Sequence, residues 1–236
     1  MDCLNCGKNL SKTDIYCSSC GQAASTSRLK TNHVVHNFLH SFTHTDKGFF
    51  YLIPQLLIRP GTIAREYNEG KRKTYFNPFT FVILIMAINT VLVANFRLMS
   101  PDLSEATDPI KEFLNNHFNV VVFLSIPIMA YFTSILYKKK DMNFAESLVL
   151  GCFTSGERSI FYILLISPLF IFFRDYYNVI LYTYLVFFVI YYAWACCQYF
   201  NDYRFMTFFK GILAFAFCQI IVTVFITLAY TIYYFG

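Results

Sequence analysis

Cys3-Leu4-Asn5-Cys6-Gly7 and Cys17-Ser18-Ser19-Cys20-Gly21 put four thiols into two C-x2-C-G units at the start of the chain. Each unit can form a knuckle with both sulfurs on one side, and the following glycine gives the backbone room to turn back. Two such knuckles wrap one tetrahedral ion, and zinc is the ion this ligand set predicts. A redox dithiol would need one CxxC in a βαβ setting, whereas here both units lie in some twenty polar residues. So few residues cannot build a core, and bound metal has to supply the folding energy. Four protein ligands close the coordination sphere, so the expected site is structural, with no open position for water or substrate.

A second set of chemical side chains follows at once. His33, His36, His40 and His44 fall at spacings of three, four and four, within about 80° of one another on a helix face. Val34, Val35, Phe38, Leu39 and Phe42 gather opposite, which predicts an amphipathic helix lying along a membrane surface. Pairs such as His36/His40 and His40/His44 can share an ion, and Asp46 could add an oxygen ligand or orient a ring. His36, His40, His44 and Asp46 are therefore candidate catalytic or ligating residues. Membrane di-iron oxygenases typically need about eight histidines, and the five here come close to excluding that class.

The elements that must carry these groups are apolar. Of 236 residues, 56% are hydrophobic, 20% aromatic and only 14% charged, which points to a polytopic membrane protein. Long apolar runs predict five spans, at about 76–96, 118–137, 150–173, 176–200 and 207–234. The third is awkward, because Ser159 to Phe173 covers only roughly 22 Å as a helix. It has to recruit residues before Glu157; otherwise it fails to span, and the alternative is four spans with 144–173 as a re-entrant or surface pair. Recruitment would place Glu157 and Arg158 near the hydrocarbon, facing the bundle interior. Glu146 lies about 20° away on the same face, and the two carboxylates form a candidate ion or proton site or mark the wet end of a tilted helix. Cys152, Cys196, Cys197 and Cys218 read as small buried hydrophobes.

The formal charge of +5 is unevenly placed. Residues 1–75 hold ten Lys/Arg against five Asp/Glu, while residues 76–236 hold nine of each. Basic residues beside a membrane entry favour anionic headgroups over nucleic acid. The acidic loop with Asp102, Glu105, Asp108 and Glu112 fits the outside and Lys138-Lys139-Lys140 the inside, giving an N-terminus in and a C-terminus out. The first 45 residues lack a secretory signal, and reduced thiols likewise suit the cytoplasm. No internal repeat, low-complexity tract or Gly-rich phosphate loop stands out.

Residues 36–78 carry the blocks Leu56-Leu57-Ile58-Arg59-Pro60-Gly61, Arg65-Glu66-Tyr67, Glu69-Gly70-Lys71-Arg72-Lys73 and Tyr75-Phe76-Asn77-Pro78. With the cysteine head before them and apolar helices after, they resemble an uncharacterised bacterial membrane-protein family, domain-of-unknown-function family 3667. The resemblance covers essentially the whole chain and includes Asn143-Phe144-Ala145-Glu146 at the entry to a later span. The chain departs from it where relatives often place histidines after that entry, since Ser147 and Thr154 to Ser159 stand here. Pro54 also interrupts a helix that the family usually continues, and is expected to kink or restart it. The family brings no established activity. Physically, the block reads as a membrane-entry device: Arg59-Pro60-Gly61 ends one surface helix, Thr62 caps the next, and Arg59, Arg65, Lys71 and Arg72 meet headgroups or phosphate.

The sequence thus predicts an all-α integral membrane protein of about five transmembrane helices. A zinc ribbon (1–22) and an amphipathic surface region (23–75, its first residues a short linker) precede the helical domain (76–236). Its expected place is the bacterial inner membrane, with one structural zinc on Cys3, Cys6, Cys17 and Cys20. The expected role is a membrane-anchored adaptor or sensor whose head faces the cytoplasm and meets a protein partner there. The alternative is a membrane-embedded enzyme or transporter for a lipid or ion, using the histidines and Glu157.

Overall fold

The computed structural model describes residues 1–26, 29, 48–96 and 109–235. Among the described residues the first helices are α1 (Gly48–Ile58) and α2 (Pro60–Asn68). The apolar helices are α3 (Pro78–Phe96), α4 (Pro109–Leu136), α5 (Phe144–Phe161) continuing through α6 (Ser167–Phe172), α7 (Tyr177–Phe200) and α8 (Phe205–Phe235). Among the described residues the only β pairing is two isolated bridges in the cysteine head.

Among the described residues, four helices are long and apolar enough to cross a membrane: Asn119–Leu136, Phe144–Phe170, Asn178–Phe200 and Phe205–Leu228. Pro78–Leu92 is a shorter apolar helix. The fold is that of an all-α membrane protein. Outward faces of α4, α7 and α8 carry Leu124, Val186, Ile190, Ile220 and Phe225, exposed apolar residues of the kind lipid covers.

The third apolar segment begins at Phe144, well before Glu157. Asn143 caps it: its side chain accepts from the Glu146 amide at 2.9 Å, and the Glu146 carboxylate accepts from the Asn143 amide at 3.0 Å. This reciprocal box satisfies two of the helix's orphan donors. A single π turn, Tyr162–Ile166, joins α5 to α6, because Pro168 cannot donate its share of the ladder. The resulting helix is the hub of the bundle. Every residue from Gly151 to Ile160 is buried, with α1, α2, α3, α4 and α7 packed around it.

The α1–α2 pair departs from the surface device that the sequence suggests. Leu52, Leu56, Ile63 and Ala64 are all fully buried, and α1 runs through Pro54 unbroken. The residue capping α2 is Arg59, with Pro60 at the first helical position and no side-chain cap, so Thr62 does not cap it. A Cβ on Gly61 would stand 1.9 Å from the Ala195 carbonyl oxygen; only glycine allows α2 to approach the α7 backbone this closely.

Candidate metal centre and the charged residues of the bundle

In the cysteine head the two knuckles repeat one another at an offset of fourteen residues, a likeness hidden in the sequence because only Cys and Gly are shared. The Gly7 amide donates to the Cys3 carbonyl at 2.9 Å and the Gly21 amide to the Cys17 carbonyl at 2.8 Å. The Cys3 amide donates to the Lys8 carbonyl and the Cys17 amide to the Gln22 carbonyl, while Asp2–Asn9 and Tyr16–Ala23 form the matching bridges. Gly7 and Gly21 take positive φ angles of 75° and 71°, as the turn requires.

These turns bring all four sulfurs within 4.8 Å of one another. Cys3 and Cys20 lie 3.6 Å apart, as do Cys6 and Cys17, so each close contact joins the two knuckles. A tetrahedron of thiolates about 2.3 Å from a central ion has edges of about 3.8 Å. The donor set therefore fits a metal ion. The knuckle amides also favour the thiolate: those of Cys20 and Ser19 bring Cys17 down to about 6, and that of Cys6 lowers Cys3.

The head is attached to the body through its first knuckle. Asn5 Oδ1 accepts from the Thr74 amide at 3.1 Å and from the Thr74 hydroxyl at 2.9 Å. Leu4 covers Gly70, whose φ of 118° and lack of a Cβ make room for it. Neither contact was foreseen from the sequence, since Asn5 and Leu4 occupy the variable positions between two cysteines. A second tie runs from Leu29, buried in the core, whose carbonyl accepts from Asn143 Nδ2 at 3.1 Å.

The basic block between head and bundle is largely engaged. Arg65 donates to the carbonyls of Gln198 and Tyr199 at 3.4 and 3.3 Å, meeting the negative end of α7, and lies 3.9 Å from Glu69. Lys71 stands 3.4 Å from Glu66. Burial alone would push Glu66 up, but the Tyr75 hydroxyl and Lys71 hold it below the ordinary carboxylate value. Burial pushes Tyr67 up to about 12 and lowers Arg72, which sits half-buried near it. Arg59 is half-buried with its Nε unpartnered.

Gln198 is the clamp of the Arg-Pro-Gly corner. Its Oε1 accepts from the Gly61 amide at 3.1 Å and its Nε2 donates to the Ile58 carbonyl at 2.9 Å, satisfying both sides of the break between α1 and α2. Asn68 at the end of α2 donates to the Glu146 carbonyl at 3.3 Å and to the Tyr199 hydroxyl at 3.0 Å. Lys140 binds Asp202 and, at 3.1 Å, Thr207. Together these bonds collect the head, the 69–77 turn, Lys138–Lys140, the start of α5 and the 200–207 turn at one end of the bundle. That end holds Lys71, Arg72, Lys73, Lys138, Lys139, Lys140, Arg204 and Lys210.

The two carboxylates of α5 divide. Glu146 is a capping residue at the basic end, whereas Glu157, eleven residues further, is fully buried with neither oxygen partnered. Arg158 does not pair with it; its guanidinium lies 5.9, 5.8 and 6.0 Å from the rings of Tyr184, Phe188 and Phe215. His33, His36, His40, His44 and Asp46 lie outside the described residues.

Residues 46–90 match the model of a family described as "Protein of unknown function (DUF3667)". The match spans α1, α2, the 69–77 turn to which the head is attached, and the first part of α3. Neither the curated proteins nor the solved structures contain a match.

Proposed function

We propose that this chain is a membrane-anchored adaptor or sensor of the bacterial inner membrane, in which one zinc ion held by Cys3, Cys6, Cys17 and Cys20 keeps a cytoplasmic head folded against the bundle. The observation that supports this reading is the tie from Asn5 to Thr74 with Leu4 over Gly70, through which an ion bound in the head would be linked to the posture of the 69–77 turn. A closed four-thiolate site offers no catalytic position, so the ion's contribution is to folding.

The orientation follows from charge. Basic residues gather at the end that carries the head, and the positive-inside rule assigns that end to the cytoplasm. Arg59, Arg65, Lys71, Arg72 and the exposed Lys73 then stand at headgroup level, to meet anionic lipid. The first knuckle faces the body, and the second presents Ile15 and Tyr16, 74% and 64% exposed, to a protein partner in the cytoplasm.

Metal analysis of detergent-purified protein tests the head: one zinc per chain is expected, lost in Cys3/Cys6→Ser and retained in His36/His40/His44→Ala. Zinc that survives the cysteine changes would overturn the reading. Reporters fused at Met1 and Gly236 test orientation, with a cytoplasmic signal expected only at Met1. A photoreactive residue at Tyr16 tests the adaptor role in cells. It should trap one defined protein, and the adduct should vanish in Cys17/Cys20→Ser; traps of lipid alone would sink that role.

A further inference from the structure

We infer that Glu157 is a proton-binding site in the interior of the bundle, its carboxyl group carried as the neutral acid. This does not depend on the metal head. Glu157 sits about 20 Å along the helix from Phe144, close to the depth of the bilayer centre, and none of its surface reaches solvent. Neither Oε1 nor Oε2 has a hydrogen-bond partner, and none of the ion pairs among the described residues includes it. An ionised carboxylate left unpaired at this depth costs far more than a protonated one.

The neighbouring Arg158 does not neutralise it. Successive residues of a helix point about 100° apart, and Arg158 is turned into the aromatic cage of Tyr184, Phe188 and Phe215, where its charge acts on Cys218 of α8. Its cation is accommodated by ring faces rather than by a carboxylate. Tyr191 of α7 is a titratable group within electrostatic reach of Glu157, and its hydroxyl is already donated to the Leu56 carbonyl at 2.8 Å. From α2, Tyr67 stacks edge-on against Phe153, one turn earlier. Of the other packed helices, α3 brings the Phe81 ring against Gly156, next to Glu157.

The closeness of packing decides which cation fits. A Cβ on Gly156, next to Glu157, would already stand 2.5 Å from the Phe81 ring, and one on Gly151 3.2 Å from Ile126. A divalent metal needs several oxygen ligands, and the cysteine head is the one group of three or more metal-ligating side chains found among the described residues. A proton needs no such space. Its release, in contrast, requires water or a cation to reach the carboxylate, so ionisation of Glu157 is coupled to loosening of α5 against α1, α3 and α7.

Infrared spectroscopy of the full chain in detergent or lipid tests this. At neutral pH the parent should show the carbonyl stretch of an unionised carboxylic acid, and the band should be absent from Glu157→Gln. Glu69→Gln, at an exposed site, should leave it untouched. Gln is isosteric with the neutral acid, so that variant is expected to keep the parent's elution volume and thermal midpoint. Should it fail to fold, Glu157→Asp should retain the band at a shifted frequency. A parent spectrum without the acid band, or a difference spectrum that reports loss of a carboxylate, would overturn the inference.

Discussion

Replacing Gly61 with alanine tests how α2 is seated. The added Cβ would lie 1.9 Å from the Ala195 carbonyl oxygen, 2.6 Å from the Tyr199 amide nitrogen and 2.8 Å from the Ala195 carbonyl carbon. All three are backbone atoms of one α7 turn, so no side-chain rotation relieves the contact. To restore an ordinary separation of about 3.4 Å, α2 has to withdraw by about 1.5 Å. That shift stretches the Gly61 amide bond to Gln198 and the two Arg65 contacts at the α7 terminus. Overpacking costs about 1–3 kcal/mol, and a buried amide left without its acceptor about as much again. Alanine's better helix propensity returns about 1 kcal/mol at most. The expected net loss is about 3–4 kcal/mol, read as a lowered midpoint in denaturant or thermal unfolding of the detergent-solubilised protein. Gly48→Ala is the control, because its Cβ would stand 3.6 Å from the Phe76 amide nitrogen, an ordinary contact. A Gly61→Ala protein as stable as that control would refute the close approach of α2 to α7.

Other expectations follow from single contacts. Gln198→Leu leaves the Gly61 amide and the Ile58 carbonyl unpartnered at once, and should cost about 2–4 kcal/mol in the same assay. Gly156→Ala should lower the midpoint clearly, since its Cβ meets the fully buried Phe81 ring at 2.5 Å, while Gly151→Ala, at 3.2 Å from Ile126, should do so less. The bond from Lys140 holds the Asp202 carboxyl far below the ordinary carboxylate value. Its contribution is therefore complete above the unfolded value of about 3.9 and is lost as pH falls below it. Thermal midpoints of the parent should drop on acidification, and Asp202→Asn should start lower at neutral pH and show a smaller drop.

The parts of this fold that were legible in the sequence are those with short-range signatures. Two C-x2-C-G units announce the four-cysteine cluster because their geometry is set within five residues, and apolar runs announce the helices. Asn143-Phe144-Ala145-Glu146 carries the N-x-x-E pattern of a capping box, yet Glu146 also matched the helical phase of Glu157, and the longer-range reading masked the local one. The Arg-Pro-Gly block was harder, because its role depends on Gln198, 137 residues away from Gly61. Gln198 was itself a hint, a lone amide in the apolar run of α7, where a buried polar group needs a partner. Glycine at position 61 was another, but a close approach of helices looks in sequence like any helix break. The docking of the head on Thr74 left no trace, since it uses one side chain and one turn.

The central claim is that the cysteine head, proposed to hold a metal ion, and the 69–77 turn form one linked unit at the basic end of the bundle. Hydrogen–deuterium exchange measures it directly at the Thr74 amide, which donates to Asn5. Metal-loaded protein should protect that amide. Removing the metal with a chelator should release the protection at Thr74 while amides in the buried stretch Gly151–Ile160 exchange as slowly as before. Equal exchange at Thr74 with and without metal would contradict the account.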